Sequence, residues 1–138
     1  MSSINKILED LNKEQKEAVL NTEGPNLVVA GAGSGKTRVL TTRLAHIINE
    51  KKAWPNQILC VTFTNKAAKE MQNRVMKYVE GRSNSVPWLG TFHSISVKIL
   101  RRHAEALEYK SNFTILDSDD QKKLMRKICK AESLDAKK

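Results

Sequence analysis

The sequence predicts an α/β fold, a parallel sheet flanked by helices, and three observations carry that expectation. Short apolar runs rich in β-branched residues recur along the chain. Segments with apolar residues at helical spacing separate those runs. The order strand then helix repeats, as it does where parallel strands are joined by crossover helices. Three short strands make a small sheet. Parallel sheets are covered on both faces, so the chain reads as part of a larger domain with an unpaired sheet edge and exposed apolar surface. Marginal stability or self-association is the expected consequence.

The elements follow in order. Asn12 to Asn21 reads as a short helix, with Asn12 three before Gln15 as a capping pair and Leu11 as a staple. Gly24-Pro25 breaks the chain. Asn26 to Ala30 is apolar and β-branched, a buried strand. After the glycine-rich stretch Gly31 to Gly35, a helix places Leu40, Leu44, Ile47 and Ile48 on one face and ends before Pro55. Ile58 to Thr64 is a second buried strand. Asn65 to Val79 is a helix with Ala68, Met71, Val75 and Val79 inward. Gly81 to Pro87 is a polar loop, and Trp88 to Phe92 a third strand. The next helix turns Ile95, Ile99, Leu100 and Leu107 inward. Phe113 to Leu116 is a brief apolar run. Ser118, capped with Gln121, opens a last helix with Leu124, Met125, Ile128 and Cys129 on its apolar side.

Composition narrows the partners. The 138 residues carry 24 Lys and Arg against 15 Asp and Glu, a net charge of +9. Residues 1–50 balance at 6 basic and 6 acidic side chains, whereas residues 51–100 hold 8 basic and 2 acidic, so this block supplies +6. A localised excess fits a polyanion, because phosphate contacts by Lys and Arg release counterions; it also fits a solvated basic surface. Aromatic residues are only 5% of the chain, few for a protein that grips strands mainly by stacking. Cys60 and Cys129 form no metal or redox spacing, which suggests a reducing, cytoplasmic setting. Met1 to Asp10 include Lys6, Glu9 and Asp10 and do not form a signal peptide. No apolar run approaches the ~20 residues of a membrane helix, so no membrane partner is expected.

The residues Ala30-Gly31-Ala32-Gly33-Ser34-Gly35-Lys36-Thr37 stand between a strand and a helix, the setting of a phosphate-binding P-loop. The general pattern has glycine where Ala30 stands. Glycines let the backbone turn so that successive N–H groups of Ala32, Gly33, Ser34 and Gly35 face a phosphate. The helix N-terminus adds its positive dipole end. Lys36 has the reach for β- and γ-phosphates, and the Thr37 hydroxyl can hold Mg²⁺. These features predict a nucleoside triphosphate with Mg²⁺, and Lys36 and Thr37 as the catalytic pair. They do not say what the energy is used for.

Three further segments point to a family. Leu11-Asn12-Lys13-Glu14-Gln15-Lys16-Glu17-Ala18-Val19 resembles the Q motif of the UvrD/Rep/PcrA helicases of superfamily 1. Val61-Thr62-Phe63-Thr64-Asn65-Lys66-Ala67-Ala68-Lys69-Glu70-Met71 is similar to their motif Ia, and Gly90-Thr91-Phe92-His93-Ser94 to the Thr-Phe-His segment that follows. All stand in the family's order around the P-loop, where Ala30 is an accepted variant. The resemblance implies a partial RecA-like P-loop NTPase domain over 1–112 and the start of an inserted helical subdomain over 113–138. It implies an ATP-dependent helicase moving 3′ to 5′ on single-stranded DNA toward duplex junctions, in repair or replication and alongside proteins of those pathways. Gln15 would read the adenine edge, and Arg38 would lie against adenine or its sugar. Phe63, Thr64, Asn65, Thr91, Phe92 and His93 would line the DNA path, Phe63 by stacking. From the residues alone, Gln15 also fits a helix cap and Arg38 an exposed side chain, while Phe63 fits core packing better than a DNA contact.

The family's Asp-Glu box and second motor domain are absent from these residues, so the chain itself is expected to be inactive. Two other readings stand beside the helicase. A small self-contained P-loop NTPase or kinase would use Asp117, after the apolar Phe113-Thr114-Ile115-Leu116, to hold the metal; Ser118 follows instead of Glu, and the acids there also suit a helix first turn. A non-catalytic basic module would bind single-stranded DNA without the P-loop.

Overall fold

The structure is a computed structural model that describes residues 3–79 and 85–133. The chain divides into two compact units, one ending at Val97 and the other beginning at Lys98. In the first unit, helices α1 (Ser3–Glu9), α2 (Lys13–Leu20) and α3 (Lys36–Asn49) come first. A 3-10 turn at Pro55–Gln57 leads to strand β1 (Cys60–Thr62), helix α4 (Asn65–Tyr78), strand β2 (Leu89–Thr91) and the start of helix α5 (Phe92–Arg102).

β1 and β2 pair in parallel, with Cys60 opposite Leu89, Val61 opposite Gly90 and Thr62 opposite Thr91. α4 is the crossover between them. Its start is set by Thr64, whose hydroxyl accepts from the Ala67 N–H at 3.1 Å. Glu70 and Arg74, one turn apart, pair on its outer face. The inner face is the predicted one: Met71, Val75 and Val79 are buried and Ala68 half-buried. They pack with Leu44, Ala45 and Ile48 of α3, Cys60 of β1, and Val86. The i, i+4 spacing thus converts into a core between α3, α4 and the strands. Leu11, Val19 and Val39 form a smaller cluster that fixes α2 to α3. Arg43 of α3 reinforces it by donating to the Ala18 and Asn21 carbonyls.

Several expectations are corrected. Asn26 to Ala30 is not a strand among the described residues: the segment is unpaired, and Leu27 and Val29 are 90% and 89% exposed. An apolar run is buried only where neighbouring strands flank it, and none of the described strands does. Among the described residues the sheet therefore has two strands in place of three. The strand predicted over Ile58 to Thr64 narrows to Cys60–Thr62, since the 3-10 turn occupies the approach and Leu59 faces solvent. α1 was not anticipated; its seven residues carry no cap signal in the sequence. Of the predicted face of α3, Leu44 and Ile48 are buried, Ile47 is half-buried and Leu40 is exposed. The Gly81 to Pro87 loop falls partly outside the described residues; Val86 within it is buried.

In the second unit, a 3-10 turn at Ala104–Leu107 follows α5, and helix α6 spans Ser118–Ala131. The Arg101 guanidinium lies 5.8 Å from the centre of the Phe113 ring, a cation–π contact. The helix cap is not Ser118: Asp117 Oδ1 accepts from the Asp119 and Asp120 N–H groups at 2.9 and 2.8 Å. A carboxylate one residue earlier outcompetes the hydroxyl because it accepts both bonds with full charge beside the helix dipole. The predicted apolar faces are mostly uncovered. Ile99, Leu100, Leu107, Leu124, Met125 and Ile128 are exposed, and only Ile95 of α5 is buried. No helix among the described residues is long and apolar enough to cross a membrane.

Candidate nucleotide site and strand ends

The glycine-rich turn is shaped by two left-handed residues, Gly33 at φ +76° and Gly35 at φ +81°. Between them Ser34 closes the turn, its N–H reaching the Gly31 carbonyl at 3.4 Å and its hydroxyl donating there at 2.7 Å. Gly35 is the N-cap of α3. The first bond of that helix runs from Val39 N–H to the Gly35 carbonyl at 3.0 Å. The N–H groups of Lys36, Thr37 and Arg38 precede this ladder, and they gather the positive end of the helix dipole beside the turn. No acid in the first turn of α3 offsets that field.

Lys36 folds back over the turn. Its ammonium donates to the Gly31 carbonyl at 2.6 Å and to the Ala30 carbonyl at 3.2 Å. The ammonium is thereby held over the concave side, where it can exchange carbonyl oxygens for phosphate oxygens. Thr37 is exposed on the first turn of α3 and Ala32 on the turn itself. Gln15, half-buried on α2, touches the turn: its Nε2 donates to the Ser34 carbonyl at 3.0 Å. Arg38, half-buried, makes a 3.4 Å ion pair with the exposed Asp10. Asp10 has no motif signal in the sequence; only its position just before α2 brings it there.

A cleft of about 580 Å³ opens beside the turn, lined by Asn12, Gln15, Ala18, Val28, Ser34, Lys36, Val39, Leu40 and Arg43 among others. Its walls are mostly apolar with a few polar groups, and its size suits a nucleotide-sized ligand. Among the described residues no group of three His, Cys, Asp or Glu side chains could hold a metal ion. Thr37 therefore has no such cluster beside it among the described residues. Asp117 is occupied as the cap of α6.

The remaining candidates sit at the carboxyl ends of the two strands. Because Thr62 and Thr91 are register partners, Phe63 and Phe92, each one residue further on, leave adjacent strand ends. Phe63 is 86% exposed and Phe92 58% exposed, so neither is core. Thr64 caps α4 and Asn65 is its first residue, both exposed. Thr91 is buried, its hydroxyl accepting from Ser94 N–H at 3.1 Å while Ser94 Oγ accepts from Thr91 N–H at 3.0 Å. That reciprocal pair shapes the start of α5, and His93 stands exposed within it. In open α/β sheets, ligands bind beyond the carboxyl ends of the strands, where these residues lie.

A glycine turn opening a helix, with its lysine laid across the turn, defines a P-loop protein on an α/β frame. The comparisons narrow the class. The family model of the UvrD/REP helicase N-terminal domain matches residues 11–138. The chain is 52% identical over 135 residues to the ATP-dependent DNA helicase PcrA of Staphylococcus aureus (strain Mu50), covering 98% of this chain. It is 50% identical over the same length to the PcrA helicase of Staphylococcus epidermidis (strain ATCC 12228). The chain spans 18% of the length of these relatives. It belongs to the UvrD/REP helicase family.

Proposed function

We propose that this chain is the ATP-binding N-terminal part of a DNA helicase that couples ATP hydrolysis to 3′-to-5′ translocation on single-stranded DNA and to duplex unwinding. One observation carries the reading. A single compact unit holds both a lysine-bearing phosphate turn and two exposed phenylalanines at adjacent strand ends. The relatives named ATP-dependent DNA helicases support it. Residues 1–112 then begin the first motor domain, and 113–138 begin its inserted helical subdomain.

Lys36 releases the Gly31 carbonyl and bonds the β- and γ-phosphates. Amides of Ala32 to Gly35 and the start of α3 receive the remaining oxygens. The Thr37 hydroxyl would hold Mg²⁺, which would supply charge neutralisation to the phosphates. Gln15 faces the adenine edge with amide capacity left over from its contacts in the structure, since a glutamine amide has two donors and two lone pairs. Arg38 exchanges Asp10 for the base or sugar. Phe63 and Phe92 stack on successive bases, with Thr64, Asn65, Thr91 and His93 along the strand. The uneven basic charge of residues 51–100 draws the phosphate backbone. Repair or replication is the process this activity serves.

The 138 residues alone are expected to bind nucleotide weakly and neither to hydrolyse it nor to unwind DNA, because phosphoryl transfer needs charges beyond those of Lys36 and Thr37. The test uses the full-length helicase. Lys36→Ala is expected to abolish DNA-stimulated ATP hydrolysis, and Phe63→Ala to weaken single-strand binding while nucleotide binding persists. Turnover by the isolated chain that depends on Asp117 and not on DNA would favour a small self-contained NTPase and overturn this reading. Steeply salt-dependent DNA binding by a full-length protein that hydrolyses no ATP would favour a passive binding module.

A further inference from the structure

The side-chain amide of Gln15 is engaged at both ends. Its Oε1 accepts from Asn12 N–H at 3.2 Å, while Asn12 Oδ1 accepts from Gln15 N–H at 2.8 Å; this reciprocal pair caps α2. Its Nε2 donates to the Ser34 carbonyl, 19 residues along the chain. The two contacts agree on one orientation of the amide. Turned over, it would set N–H against N–H at Asn12 and oxygen against oxygen at Ser34.

A helix cap at this position needs only the acceptor, and glutamate supplies it as well as glutamine. The donor end is what glutamine adds, and one of its two N–H groups goes to the glycine turn. Ser34 stands between the two left-handed glycines, so its carbonyl belongs to the peptide that links them. A trans peptide is planar, with C=O and N–H directed oppositely. Holding the Ser34 carbonyl toward α2 therefore aims the Gly35 N–H away from α2. The glutamine also lies directly on Gly35, where an added Cβ would come within 3.1 Å of Nε2.

We infer that Gln15 is a positioning residue for the phosphate turn, holding the Ser34–Gly35 peptide so that the Gly35 N–H meets a triphosphate regardless of the base attached to it. This rests on the nucleotide-binding reading above and adds to it a role that base recognition does not contain. Asn12 shares the role by fixing the glutamine side chain from its other end.

The experiment titrates the 138-residue chain by calorimetry with magnesium tripolyphosphate, which has no base, and with Mg-ATP. Wild type is compared with Gln15→Glu, which keeps the cap acceptor and loses the donor, and with Gln15→Ala, which adds no charge. Both variants are expected to weaken tripolyphosphate about tenfold, for one lost hydrogen bond, and to weaken ATP by at least as much. Without ligand, the Ser34 carbonyl and Gly35 amide resonances are expected to shift in both. Weakened ATP binding with unchanged tripolyphosphate binding makes Gln15 a base reader alone and overturns the inference. Unmoved Ser34 and Gly35 resonances overturn it also. A wild-type chain that binds neither ligand defeats the nucleotide-binding reading and this inference together, whereas wild-type binding that the variants leave intact defeats the inference only.

Discussion

Alanine placed at each glycine of the turn should separate backbone strain from steric crowding. Gly31 lies outside the left-handed region and an added Cβ there meets nothing within 4 Å. Gly31→Ala is therefore expected to be neutral, or to gain up to about 1 kcal/mol through a less flexible unfolded chain. Gly33 has φ +76° and open space around it. Gly33→Ala carries only the left-handed penalty of an L-residue, about 1–2 kcal/mol. Gly35 has φ +81° and its Cβ would press on Gln15 Nε2. Gly35→Ala adds to the same penalty the loosening of the Gln15–Ser34 bond, about 1 kcal/mol more. The expected order of loss is thus Gly35→Ala above Gly33→Ala above Gly31→Ala. Thermal denaturation followed by circular dichroism reads it directly. For a chain of this size each kcal/mol lowers the midpoint by roughly 3–6 °C. A Gly31→Ala loss as large as that of Gly35→Ala would refute the geometry assigned to the turn.

Other outcomes follow from the packing and the caps. Val75 is fully buried between α4 and the strands, so Val75→Ala should cost about 2–3 kcal/mol in urea unfolding; Ile128→Ala, on the exposed face of α6, should cost well under about 1 kcal/mol. Asp117→Ala should destabilise α6 by about 1 kcal/mol while Asp117→Asn keeps most of the cap; if Asp117 held a metal instead, Asp117→Asn would abolish magnesium-dependent activity and leave helicity unchanged. His46 is buried on α3, and burial lowers its pKa below the usual histidine value, with Lys52 and Arg43 adding to the effect against Glu50. The unfolded chain therefore takes up a proton at His46 before the folded chain does. Stability from this group is complete above about pH 6.5 and declines as pH falls from there toward the folded-state pKa. His46→Gln should flatten that part of a pH-dependent melting curve.

Much of the first unit was legible because its signals are local. Asn12 with Gln15 and the Met71, Val75 and Val79 spacing each act within one or two turns, and both recur in the structure. The glycine turn was legible for the same reason: the conformation it needs is one only glycine adopts readily. The failures are non-local. Asn26 to Ala30 has the composition of a buried strand, but burial depends on what lies alongside, and no described strand pairs with it. Leu124, Met125 and Ile128 have helical spacing and no cover for the same reason. At the site, the Arg38–Asp10 pair and the reach of Gln15 to Ser34 join residues 28 and 19 positions apart, and no periodicity reports such pairs. Phe63, which composition would assign to the core, is exposed because β1 ends at Thr62 and the chain turns at once into α4.

If the turn from Gly31 to Thr37 receives a nucleoside triphosphate, Lys36 is the residue that tests it most directly. The 138-residue chain would be titrated with Mg-ATP by calorimetry at millimolar concentration, beside Lys36→Ala of matched thermal stability. The account predicts weak binding by wild type that Lys36→Ala removes, since the ammonium resting on the Gly31 carbonyl is then no longer there to meet the phosphates. Binding of equal strength by both chains, or none by wild type, would contradict it.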